Sequence, residues 1–143
     1  MRRCLLFLFV STTVFTVPSG ATPIARGKVR DAQASVSWQF DERKGKYEIP
    51  NTKIYLVVGG RRIFIFRAPS HFDVLERQLY GTHNVPASAI AACTGWWAGQ
   101  GQDLYVIRRK GRLIVFLRNL DEQAPIEPYA RLKVIPPPRK GRH

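Results

Sequence analysis

Two runs of β-branched and aromatic residues, separated by adjacent glycines, constrain the fold of this chain more than any other feature. Lys53-Ile54-Tyr55-Leu56-Val57-Val58 and Arg62-Ile63-Phe64-Ile65-Phe66 flank Gly59-Gly60-Arg61. Glycine reaches the positive φ that tight turns need, so the segment is predicted to fold back as a β-hairpin. A second hairpin is predicted where Leu104-Tyr105-Val106-Ile107 meets Leu113-Ile114-Val115-Phe116-Leu117 through Arg108-Arg109-Lys110-Gly111-Arg112. Lysine is poor in a primed turn, so a type I turn with Gly111 in the left-handed bulge position is expected there. Both hairpins are apolar on both faces, which predicts central strands rather than edges.

Other segments fall around these hairpins. Ala34, Val36, Trp38 and Phe40 alternate with Ser35, Ser37 and Gln39, the pattern of a half-buried strand. A charged turn, 41–46, precedes a short predicted strand from Tyr47 to Ile49, and Tyr129 to Ile135 suggests a final strand. Between the hairpins, Ser70 and Asp73 resemble a capping pair. Phe72, Leu75 and Leu79 follow at helical spacing, with Gly81 to end the helix. Pro86 to Cys93 reads as a second short helix with proline in its first turn. The expected fold class is mainly β with one or two short helices (α+β), a small antiparallel barrel or sandwich built around two hairpins.

The amino-terminal segment sets the compartment. Arg2 and Arg3 precede an apolar stretch from Leu5 to Val17, then Pro18 and the small residues Ser19-Gly20-Ala21. Basic, apolar and small in that order is the secretory pattern, and the apolar core is too short to span a bilayer. The domain reading is therefore 1–21 a cleavable signal peptide, 22–32 a flexible leader, 33–135 a single β-rich domain, and 136–143 a basic Pro-rich tail. The expected localisation is secreted or periplasmic. Cys93 alone survives cleavage, so the mature chain has no intramolecular disulfide, and Ala91 and Ala92 beside it favour its burial.

The formal charge of +13 favours encounters with anionic partners. Beyond the cytoplasm these are lipid headgroups, acidic envelope polymers, glycans and acidic proteins. Export makes nucleic acid a less natural partner. Catalytic material is thin. Ala92-Cys93-Thr94-Gly95-Trp96 resembles in outline the cysteine core of NlpC/P60-type cell-wall peptidases. Ala92, however, stands where those enzymes usually carry an acid, and His143 is the only histidine after the cysteine. A thiol needs a positioned base to act as a nucleophile. His71, Asp73, Glu76 and His83 form the one cluster of metal-ligand types, but at spacings that do not share a helix face. No phosphate loop, nucleotide fingerprint or serine elbow is present. No catalytic residue, metal or cofactor is assigned.

Binding has better material. Trp96 and Trp97 sit in a glycine-rich stretch, and adjacent side chains on an extended segment point to opposite faces, so at most one naturally enters the core. Gln100, Gln102 and Asp103 offer hydrogen-bonding groups beside them. Arg61, Arg62, Arg108, Arg109, Lys110 and Arg112 cluster at the two hairpin turns, and form one cationic rim if both turns emerge at the same end. The expected function is a non-catalytic binding domain for an anionic or carbohydrate-bearing envelope partner, its contact surface combining the tryptophans with the arginine-rich turns. The alternatives are a cell-envelope hydrolase using Cys93 or a carboxylate, and a proteinaceous inhibitor of an extracellular enzyme.

Overall fold

The computed structural model describes residues 35–139. The segments expected to be a signal peptide (1–21) and a leader (22–32), and the last four residues of the expected tail, lie outside the described residues. Eight strands follow one another: β1 (Val36–Lys44), β2 (Pro50–Val58), β3 (Arg61–Ala68), β4 (His71–Val74), β5 (Ala91–Trp97), β6 (Gln100–Arg109), β7 (Arg112–Asp121) and β8 (Ala130–Ile135). They make two antiparallel sheets, β1-β2-β3 and β4-β5-β6-β7-β8, in which strands pair with their sequence neighbours. The architecture is mainly β and sandwich-like, and the sheets do not close into a barrel. On the flank, the Lys133 ammonium of β8 donates to the Phe64 carbonyl of β3 at 2.9 Å.

Both predicted hairpins form. Gly59 and Gly60 take φ of 55° and 79°, and Val58 pairs with Arg61 across them. The second turn departs from expectation. Lys110 and Gly111 both take positive φ, 50° and 73°, and Arg109 pairs directly with Arg112. This is a two-residue primed turn, whose twist matches that of the flanking strands and outweighs the cost of a left-handed lysine. β6 is a central strand, as its apolar run predicts. β3 is instead an edge. A bulge after Ile54 places Ile65 inside, while Phe64 points outward, 46% exposed and edge-on to Tyr55.

Two cores explain the apolar patterning. Trp38, Ile54, Leu56 and Ile65 of the small sheet meet Cys93, Leu104, Val106, Leu113, Val115 and Ile135 of the large one. On the other face of β6, Tyr105 and Ile107 pack with Leu75, Tyr80, Val85, Ala89 and Ala92, beneath the segment 75–90. β6 is thus buried on both sides, which is why Leu104 to Ile107 reads as an unbroken apolar run. Each such aliphatic side chain contributes about 1.5–3 kcal/mol by leaving water, so a charge at Val106 would break the strand's packing.

Neither predicted helix forms. His71–Val74 is a strand that pairs with β5, followed by a single 3-10 turn at Arg77–Leu79. Phe72 faces Phe40 across the sandwich at 5.8 Å, whereas Leu75 enters the opposite core, so the two do not share the face that helical spacing implies. A two-turn helix is marginal by itself, and edge pairing on β5 satisfies the same backbone groups. The Pro86–Cys93 helix is replaced by a turn, with Ala89 N–H bonded to the Pro86 carbonyl, and then by the start of β5. Ala92 and Cys93 are buried on opposite sides of the sheet, an alternation that overrides alanine's helix preference. The short strand expected from Tyr47 to Ile49 is a 3-10 turn at Lys46–Glu48 instead.

Candidate functional site

The two arginine-rich turns emerge at the same end and flank one groove of about 380 Å³. Val58, Gly59, Arg61 and Ile63 line it from the small sheet. Arg108, Gly111 and Leu113 line it from the large sheet, and the chain from Ile135 to Pro138 completes it. Leu113 and Ile135 are buried members of the intersheet core, and Val58 and Ile63 pack against that core. The groove is therefore the open end of the sandwich, with an apolar floor and a cationic rim.

That rim is held against electrostatic cost. Arg109 and Arg112 are directly opposite across the turn, a like-charge pairing that destabilises a hairpin. Neither turn contains a carboxylate, and Asp41, Glu42 and Asp121 sit toward the far ends of their strands, with Glu122 just beyond β7. Among the described residues Arg61, Arg109, Lys110 and Arg112 make no ion pair. Of the six basic turn residues Arg61 and Arg108 line the groove, Arg109, Lys110 and Arg112 stand in the turn outside its lining, and Arg62 is stacked on the outward Tyr55 ring at 4.2 Å. Local violations of favourable pairing of this kind concentrate where function is served.

The tryptophans lie elsewhere. They end β5, and the Ala98-Gly99 turn after them begins β6, whose ten residues separate them from the arginines by about 30 Å. Trp96, Trp97 and the arginine turns therefore form two surfaces, not the single one expected. Trp96 is 43% and Trp97 37% exposed, so neither is a core residue. A Cβ on Gly101 would stand 2.9 Å from the Trp96 ring, which fixes where that indole rests. Trp97 meets the His71 ring edge-on at 5.3 Å, and His71 in turn bonds Glu42 at 2.5 Å. Gln100 is exposed beside them, while the Gln102 side chain accepts a hydrogen bond from Ser70 at 2.9 Å.

Asp103 is not a surface group. It is fully buried, and its Oδ2 accepts from Arg118 Nη2 at 2.9 Å and Nε at 3.2 Å, with His83 Nδ1 at 3.1 Å. Arg118 and the Tyr129 hydroxyl both donate to the His83 carbonyl, at 2.6 and 2.8 Å, and Arg118 also stacks on Tyr129 at 4.5 Å. The cluster clasps the segment 75–90 onto the large sheet. Burial, and then the Asp103 charge, push the Tyr129 hydroxyl well above the ordinary tyrosine range. The sequence carried one unused signal for this clasp. Asp103 shares the strand phase of Tyr105 and Ile107, and its cross-strand partner Arg118 shares that of Phe116 and Ile114.

Cys93 is buried in the intersheet core, where desolvation first and Asp103 second raise its pKa well above the ordinary thiol value. It is held as the thiol, the unreactive form. His71 and His83 take different carboxylate partners, Glu42 and Asp103. No helix among the described residues is long and apolar enough to cross a membrane. The chain matches no family model, and neither the curated proteins nor the solved structures contain a significant match to it.

Proposed function

We propose that this chain is an exported, non-catalytic binding domain that engages an anionic envelope partner at the groove between its two arginine-rich turns. The carrying observation is the convergence of those turns, from different sheets, on one concave space. Cations brought together from two turns raise the local potential and favour anions. The basic, apolar and small order of residues 2–21 supports export. The buried, protonated state of Cys93 favours binding over thiol chemistry. Trp96 and Trp97 supply a second, separate aromatic face for the same or another partner.

The test is retention of envelope fractions and of heparin by the wild-type chain and by a triple Arg61→Ala, Arg109→Ala, Arg112→Ala variant. Wild-type binding should weaken tenfold or more between roughly 50 and 200 mM salt, as counterion release requires. The variant should bind weakly at both. A tight, stoichiometric and salt-insensitive complex with one extracellular enzyme would replace this reading with that of an inhibitor.

A further inference from the structure

We propose that the groove takes the alkyl chain of an anionic lipid and holds the lipid's phosphate headgroup on its arginine rim. The inference rests on the binding reading above and names its ligand class. A site for a wholly hydrophilic polyanion needs charge alone, and a flat surface serves it. This site is concave and opens onto the core. Leu113 and Ile135 at its base belong to the intersheet cluster, Ile63 packs half-buried beside them, and Pro137 stands exposed on the wall. Arg61 and Arg108 line the same space from opposite sheets.

Those two features together select an amphiphile. An inorganic anion or a sugar would leave the half-buried Val58 and Ile63 and the exposed prolines in water, whereas an alkyl chain covers them. Each methylene that leaves water multiplies affinity by roughly fourfold. The volume of about 380 Å³ falls within the range of small-molecule sites, about 300–1,000 Å³. Guanidinium groups present planar paired donors to phosphate oxygens, so a phosphate at the mouth completes the fit. An acidic peptide with an aliphatic side chain is the competing occupant.

Isothermal titration calorimetry of the full chain with inorganic, butyl, hexyl and octyl phosphate, each ligand below its micelle concentration, tests the proposal. One site per chain is expected, with affinity rising roughly three- to fourfold per methylene. Octyl glucoside, with the same tail and no charge, should bind at least roughly tenfold more weakly than octyl phosphate. Arg61→Ala should lower octyl phosphate affinity by about tenfold. Pro137→Glu, at an exposed position that leaves the core untouched, should do the same by repulsion. Affinity that is flat along the alkyl series, with heparin retention intact, overturns the lipid site while the cationic-rim reading stands. Loss of both overturns both. A short acidic peptide carrying one leucine that binds more tightly than octyl phosphate also overturns the lipid assignment.

Discussion

The hairpins at the two ends of β6 are built from the same backbone device and carry opposite chemistry. At the β5–β6 turn, Ala98 and Gly99 take positive φ. The neighbouring side chains are locked in place, with Trp96 laid over Gly101 and Gln102 bonded to Ser70. At the β6–β7 turn, Lys110 and Gly111 take positive φ too, yet the flanking Arg109 and Arg112 repel one another, and a Cβ at Gly111 would meet nothing within 4 Å. One end is tied to the interior and the other is poised toward solvent. Packing contacts thus fix one end of the strand, while like charges face each other at the other.

The largest expected difference comes from the clasp. Asp103→Ala leaves the Arg118 charge buried and uncompensated, and should cost about 3–5 kcal/mol in urea unfolding. An effect under about 1 kcal/mol would show that the segment 75–90 is held by its apolar residues alone. Next, Gly101→Ala places a methyl 2.2 Å from the Gly95 carbonyl oxygen, and should cost about 2–3 kcal/mol by thermal melting. Gly111→Ala meets only backbone strain and should cost about 1–2 kcal/mol. Equal losses at the two positions would erase the contrast between the ends.

Alkaline titration sharpens it further. The Cys93 and Tyr129 pKa values are raised in the folded chain above the ordinary 9.0 and 10.0. The unfolded chain therefore releases those protons first, and the stabilising contribution, complete below pH 9, falls away as pH rises beyond it. The decline should approach about 1.4 kcal/mol per pH unit for each group, and Cys93→Ala should remove its share of the slope. The smallest effect belongs to the cationic end. Arg109→Glu turns a repulsive cross-strand pair into an attractive one, and should stabilise the fold by about 0.2–1 kcal/mol at low salt. The same change should weaken heparin retention. A variant that gains stability without losing retention would separate this rim from binding.

How far the sequence exposed these features depends on the range of the forces involved. Gly59-Gly60 and the doubly apolar run of β6 are local signals, and both hairpins were readable from them. β5 was not, because Ala91 and Ala92 favour a helix locally and become a strand only when covered on both faces. Asp103 sits beside a tryptophan pair in sequence and so resembles a surface group. Its phase with Tyr105 and Ile107, and the distant His83, Arg118 and Tyr129, decide otherwise. The arginine rim was anticipated conditionally. Its floor was not, since Ile63, Leu113 and Ile135 come together only through the register of two sheets.

Because each strand finds its mate immediately before or after it in the sequence, no hairpin must wait for a distant part of the polypeptide. Closure entropy is small at the tight turns and largest for the segment 75–90 between β4 and β5, and only the Pro69-Ser70 link carries the chain from one sheet to the next. A chain that emerges from its amino terminus can thus pair each strand as soon as the next one follows, with β4 waiting for the segment 75–90 to pass before β5 reaches it.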